Sequence, residues 1–307
     1  MATGTPTAAQ WFEGARPRTL PAAVAPVLAG TGVAAWTGDE VWWKASLALV
    51  VSLLLQVGVN YANDYSDGVR GTDDARVGPL RLVGSGLATP AAVKRAAFVC
   101  FGLAAATGLV LAASTTWWLV AVGALSILAA WYYTGGSKPY GYLGLGEVMV
   151  FVFFGLVAVL GTWYVQAHDD HGLVNAELSR SSVGPALYAA IGVGALACAI
   201  LVANNLRDIP TDVEAGKRTL AVRLGAGGTR AFYAALVATA LVALVAVALA
   251  TDALALLGLV GFVGLLPALR TVIAGAVGKD LIPVLQQTGL GELLYATGIF
   301  AGLLLAR

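Results

Sequence analysis

Of the 307 residues, 59% are hydrophobic and only 11% are charged, where an ordinary soluble chain is about a quarter charged. A soluble core of this length does not supply so many uninterrupted apolar runs, so the composition points to a single domain spanning 1–307 and buried in lipid. The formal net charge of +1 gives no long-range attraction to nucleic acid, and any polyanion has to be held by a local cluster.

Crossing the hydrocarbon core takes roughly 20 mostly apolar residues, and such runs occur about nine times, centred near residues 28, 52, 102, 125, 156, 193, 240, 262 and 298. Trp11 and Phe12 precede the first and suit a short amphipathic helix in the interface. Arg16 and Arg18 follow, and the stretch from Leu20 to Val33 carries no small-residue cleavage pattern, so it reads as a retained first span. With the N-terminus in the cytoplasm, the connections after spans two, four, six and eight also lie inside. Nearly all lysines and arginines then fall on that side, leaving only Lys44, Arg180 and Arg307 outside, as the positive-inside rule requires. Trp36, Trp42, Trp43, Trp117, Trp118 and Trp163 fall at the outer ends, where indole rings meet the headgroups. Cys100 and Cys198 sit inside apolar runs and read as packing residues.

The second apolar run ends in Asn60-Tyr61-Ala62-Asn63-Asp64-Tyr65-Ser66-Asp67. On a helix, Asn60, Asn63, Asp64 and Asp67 stand at i, i+3, i+4 and i+7, which places two amides and two carboxylates on one face. The sixth run ends in Asn204-Asn205-Leu206-Arg207-Asp208-Ile209-Pro210-Thr211-Asp212. Asn204, Asp208 and Asp212 share a face there if the helix continues through Pro210, which lacks a backbone donor. These segments lie four spans apart and emerge on the same side, the signature of a parallel pseudo-repeat. The expected fold is an all-α polytopic membrane protein of about nine transmembrane helices, two tandem four-helix units plus one.

Acids gathered at one mouth repel each other unless a cation bridges them. Hard oxygen ligands suit Mg²⁺, which commonly joins carboxylates to phosphates, so the two motifs imply a metal-bound diphosphate. Arg70, Arg81, Lys138, Arg207, Lys217 and Arg218 supply positive charge on the same side, with Arg207 the foremost diphosphate candidate. Glycine and proline mark sharp turns at Gly78-Pro79, Gly84-Ser85-Gly86 and the Gly135 to Gly141 loop, which are placed to cap this site. The sequence has no phosphate-cradling Gly-Lys-Ser/Thr loop, no zinc-spaced Cys/His set and no Ser-His-Asp arrangement. The outer run His168-Asp169-Asp170-His171 reads as a solvated loop.

Asn63-Asp64-x-x-Asp67, with Asp208-x-x-x-Asp212 after span six, resembles the paired acidic motifs of the UbiA superfamily of intramembrane aromatic prenyltransferases. The strings Ala15-Arg16-Pro17-Arg18-Thr19-Leu20-Pro21, Asp67-Gly68-Val69-Arg70-Gly71-Thr72-Asp73, Arg76-Val77-Gly78-Pro79-Leu80-Arg81 and Asp212-Val213-Glu214-Ala215-Gly216-Lys217-Arg218-Thr219 look like the branch acting on 1,4-dihydroxy-2-naphthoate. The resemblance implies that Asp64, Asp67, Asp208 and Asp212 coordinate Mg²⁺. Asn60, Asn63, Asn204, Arg70, Lys138, Arg207 and Lys217 would serve the diphosphate, and Arg18 and Arg81 are left to meet the acceptor. Gly71 stands where the superfamily often has a third Asp, and Asp73 comes two residues later, which leaves its metal role open. The implied reaction joins a polyprenyl diphosphate to 1,4-dihydroxy-2-naphthoate in a bacterial cell membrane, with loss of diphosphate and CO2, to give demethylmenaquinone. Its alternatives are another aromatic acid, such as 4-hydroxybenzoate or homogentisate, or a cation transporter using the same acids. Glu147 and Glu292 stand near inner helix ends, and each reads as structural before functional.

Overall fold

The computed structural model describes residues 6–71, 80–168 and 176–307, with side chains from residue 182 in the last stretch. Asp73, Arg76, Gly78-Pro79, Asp169-Asp170-His171 and the side chain of Arg180 lie outside the described residues.

A short helix α1 (Ala8–Gly14) opens with a capping box between Thr7 and Gln10. It turns through a 3-10 segment into α2 (Pro21–Trp36), bent by 51° from what precedes it. Next come α3 (Trp42–Arg70), α4 (Pro90–Ala113) and the short α5 (Trp118–Tyr132). The fifth run is one rod of three parts: α6 (Gly146–Val150), a π-helical stretch (Phe151–Leu160) and α7 (Gly161–Ala167). Then follow α8 (Ala176–Glu214), α9 (Leu220–Ala250), a 3-10 stretch (Ala253–Gly261) leading into α10 (Phe262–Ile273), and α11 (Ile282–Leu305).

All the expected apolar runs are helical, but the figure of nine spans is approximate. Among the described residues seven helices are long and apolar enough to cross a bilayer, and the bent α1–α2 pair makes an eighth. The 15 residues of α5 reach about 22 Å at 1.5 Å per residue, short of the roughly 30 Å hydrocarbon core. Leu103, Leu125, Val242, Leu249 and Val263 stand exposed along the helix flanks, as lipid-facing side chains must.

The motif-bearing helices hold the same place in each half: α3 packs chiefly against α4, and α8 against α9. Small residues bring backbones together where helices cross. A Cβ on Gly155 would stand 2.7 Å from both the Ala190 carbonyl and Gly194 Cα, and one on Gly298 would stand 2.4 Å from the Leu257 carbonyl. Close approach of this kind replaces the hydrophobic driving force that lipid cannot supply.

One condition is met and one expectation needs correcting. The helix α8 runs on through Pro210 to Glu214, which meets the condition for Asn204, Asp208 and Asp212 to share a face. The loss of one hydrogen bond is tolerated in a long helix held by its neighbours. Trp163 does not reach an interface; it is buried in the core formed by α2, α8 and the π-helical rod, whereas Trp42, Trp43, Trp117 and Trp118 are exposed.

Candidate active site

The last three turns of α3 carry the first motif, and its residues divide their tasks. Asp64 is fully buried, and its two oxygens accept the backbone N–H groups of Leu82 (2.7 Å) and Val83 (3.1 Å). This clamp draws the 80–83 segment onto α3. Gly68 makes room for it, because a Cβ there would come within 2.4 Å of Val83 Cγ1. Arg81 is thereby held 3.6 Å from Asp67. Asn60 turns its amide to Ala15 O and Thr19 Oγ1, both at 2.9 Å, fixing the turn that follows α1. Asn63 Oδ1 accepts from Thr134 Oγ1 at 2.7 Å. Arg70 braces the loop after α5 by donating to the carbonyls of Thr134 and Gly136.

The second motif is equally tied. Arg207 grips Asp208 with two donors (2.6 and 2.8 Å) and reaches Asn204 Oδ1 at 2.8 Å. Asp212 accepts from Thr219 Oγ1 at 3.5 Å, and its carbonyl receives the Lys217 N–H at 2.8 Å. That bond folds the chain back just beyond α8 and brings Lys217 Nζ to 4.0 Å from Asp67. Burying carboxylates that are 0%, 3%, 5% and 8% exposed at Asp64, Asp67, Asp208 and Asp212 is tolerable only with such pairing.

Tyr142 joins the halves. Its hydroxyl donates to Asp67 Oδ1, its carbonyl accepts the Arg218 N–H at 3.0 Å, and the Lys217 ammonium lies 4.5 Å from its ring. The ends of α3 and α8 thus meet at one mouth. Nothing in the motifs marked this tyrosine; the only signal was its place in the glycine-rich loop after span four. The same loop seals the mouth from the side, where Tyr140, raised well above the ordinary phenol range by burial, donates to Ala129 O at 2.7 Å.

Below the mouth lies a cavity of about 350 Å³. Asn60, Asn63, Tyr133 and Tyr140 line its motif end, and mostly apolar residues of α2 to α7 line the remainder, with Ser52, Gln56, Ser126 and Thr162 among them. Arg18 and Lys138 are exposed. Glu147 accepts from Asn205 at 2.9 Å, whereas Glu292 is wholly buried and neither of its oxygens has a hydrogen-bond partner among the described residues.

Residues 23–279 match the model of the UbiA prenyltransferase family. The chain belongs to this family. It is 57% identical over 295 residues to the 1,4-dihydroxy-2-naphthoate octaprenyltransferase of Mycobacterium tuberculosis, covering 96% of this chain and 97% of that protein. The Escherichia coli enzyme of the same name is 43% identical over 240 residues, 76% of this chain and 74% of that one. Among solved structures, a UbiA homologue from Aeropyrum pernix superposes with a TM-score of 0.73 at 16% identity, covering 91% of this chain and 97% of that one. A UbiA homologue from Archaeoglobus fulgidus, bound to DMAPP and Mg²⁺, gives 0.55 at 14%, with 96% and 99% covered. At these identities the two structures speak to the fold alone.

The donor set fits Mg²⁺ by its chemistry, hard carboxylate oxygens at one mouth. Among the described residues no three Asp, Glu, His or Cys side chains converge as a cage. Mg²⁺ does not require one, since it is usually held by one or two carboxylates together with substrate phosphates. Asp67 on one wall and Asp208 and Asp212 on the other suit an ion that arrives with its diphosphate. The oxygens of Asp64 are engaged by the fixed backbone N–H groups of Leu82 and Val83, whereas those of Asp208 are engaged by a side chain, that of Arg207.

Proposed function

We propose that this chain transfers a polyprenyl group from polyprenyl diphosphate to 1,4-dihydroxy-2-naphthoate, releasing diphosphate and CO2 and giving the hydroquinone form of demethylmenaquinone. The relatives of that name support the acceptor. The observation that carries the chemistry is the meeting of the α3 and α8 ends through Tyr142 and Lys217 at the head of an apolar cavity.

Asp67, Asp208 and Asp212 would hold the Mg²⁺, with Asn63 and Asn204 beside them, and Asp64 acts through the Arg81 segment it anchors. When bound, the ion neutralises charge building on the leaving diphosphate. Lys217, Arg81 and Arg207 add to that stabilisation from positions fixed before reaction, so no reorganisation is needed as the C–O bond breaks. The donor's C1 becomes an allylic cation at the top of the cavity, where apolar walls keep water away. The electron-rich ring attacks C1, a C–C bond forms, and the ring regains aromaticity as its carboxylate departs as CO2. Both ring hydroxyls are kept, so the product is the hydroquinone, and electrons and atoms balance without an external oxidant; the quinone forms only on later two-electron oxidation. The mouth faces the cytoplasm, the source of both water-soluble groups.

The test is a product assay on purified protein with Mg²⁺ and octaprenyl diphosphate, offering 1,4-dihydroxy-2-naphthoate, 4-hydroxybenzoate and homogentisate in parallel. Decarboxylated prenyl-naphthohydroquinone, read as the quinone after air oxidation, from the first alone is the expected result. Product from another acid would reassign the acceptor, and ion flux in vesicles without diphosphate release would replace the enzyme by a transporter.

A further inference from the structure

Between Asp74 and Glu147 the sequence holds no acidic residue, while Lys94 and Arg95 stand side by side in the second turn of α4, both exposed. Lys94 is nevertheless fixed in place. Its ammonium lies 5.5 Å from the centre of the Tyr65 ring and 5.7 Å from that of Trp131; those two rings stack at 6.0 Å, and Phe98 packs on Trp131 at 4.8 Å. Ring faces hold a cation without cancelling its charge. Among the described residues no carboxylate pairs with Lys94 or Arg95, and neither base lines the cavity below the mouth. Side chains of α3, α4 and α5 thus hold a positive charge at the motif end of the bundle, on its outer face.

The groove at these bases carries two chemistries. Lys94 and Arg95 form one edge, and Phe98 and Val99, both exposed, form the other. The apolar strip continues along α4 to Gly102 and Leu103, each four residues further on and so on the same face. Leu103 is exposed, and a Cβ on Gly102 meets nothing within 4 Å. Charge therefore stands at the helix end and bare apolar surface one turn deeper. Inorganic phosphate would leave that strip uncovered, and a soluble protein does not reach it within lipid. Polyprenyl diphosphate has both a head and a tail, but its Mg²⁺ needs carboxylates, and this groove has none. We propose that the groove binds one anionic glycerophospholipid of the leaflet on the motif side, its phosphate on Lys94 and Arg95 and an acyl chain along Phe98, Val99, Gly102 and Leu103. Basic pockets at helix ends select anionic headgroups in this way.

Native mass spectrometry of the purified protein, titrated separately with dioleoylphosphatidylglycerol and dioleoylphosphatidylcholine, reads the affinity for each. Wild type should hold the first phosphatidylglycerol at least about tenfold more tightly than phosphatidylcholine, because each base near the surface adds severalfold to anionic lipid binding. Lys94→Gln/Arg95→Gln should bring the two lipids within about twofold of each other. The control Arg270→Gln/Lys279→Gln, which removes one exposed base on α10 and another just after it, should keep the wild-type ratio. Equal binding of both lipids by wild type, a ratio that survives in Lys94→Gln/Arg95→Gln, or the same loss in the control would overturn the proposal. Octaprenyl diphosphate should bind alongside phosphatidylglycerol; one-for-one displacement would make the groove a donor site instead and overturn the lipid assignment. Should the double variant not fold, Arg95→Gln leaves the ring contacts of Lys94 intact and should lower the ratio about threefold, and an unchanged ratio there would be equally fatal.

Discussion

Asp64 and Asp67 are one turn apart on the same helix, yet their surroundings give them different work. Both oxygens of Asp64 are committed to backbone N–H groups at 2.7 and 3.1 Å, whereas Asp67 faces a tyrosine hydroxyl, an arginine and a lysine drawn from three segments. Replacing Asp64 by Asn turns one acceptor into a donor against an N–H, which costs about 1–3 kcal/mol locally and loosens the segment carrying Arg81. Asp67→Asn leaves that segment in place and weakens the ion instead. Turnover should therefore fall in both, but the Mg²⁺ concentration for half-maximal rate should rise roughly tenfold or more in Asp67→Asn and stay within about twofold of wild type in Asp64→Asn. An equal shift in the two would make Asp64 an ion ligand and end the anchoring role. The i, i+3, i+4, i+7 spacing made this acidic face legible. It could not distinguish Asp64 from Asp67, because the difference lies in partners brought from residues 81, 142 and 217.

At the scale of elements, hydropathy located every apolar run, since each is set by its own composition. What it could not locate depends on neighbours: the shortness of α5, the passage of α8 through Pro210, and the π-helical turn pattern over Phe151–Leu160. The π-helical stretch borders the cavity on one side and crosses α8 on the other at Gly155 and Gly194. A methyl on Gly155 would meet backbone, at 2.7 Å from Ala190 O and Gly194 Cα, and neither can rotate away. Overpacking of this kind costs about 1–3 kcal/mol. Gly155→Ala should accordingly lower the melting temperature of the detergent-solubilised protein by several degrees. Gly161→Ala, six residues along the same rod with open space around it, should leave the midpoint unchanged or raise it, because alanine restricts the unfolded chain more than glycine does. Identical melting of Gly155→Ala and wild type would mean that the crossing is looser than the backbone distances indicate.

For the whole molecule, orientation follows from where charge is left free to act. The bases expected outside are accounted for by local partners where their side chains are described. Lys44 is buried against the carbonyls of Ser114 and His168, each at 2.9 Å, and Arg307 pairs with Glu40. Neither offers the membrane an uncommitted positive charge at that end, while Lys138 and Arg18 stand exposed at the motif end. The positive-inside rule acts on such residues near span ends, so the mouth should face the cytoplasm and the C-terminus the outside. Single cysteines report this directly once Cys100 and Cys198 are replaced by alanine. Lys138→Cys sits on the loop at the mouth, and Trp117→Cys lies at the far end, where the native indole is 68% exposed. A membrane-impermeant maleimide should label Trp117→Cys in right-side-out vesicles and Lys138→Cys only in inverted ones. The opposite pattern would place the acidic mouth outside, away from cytoplasmic diphosphates, and would leave the proposed reaction without access to its donor's headgroup.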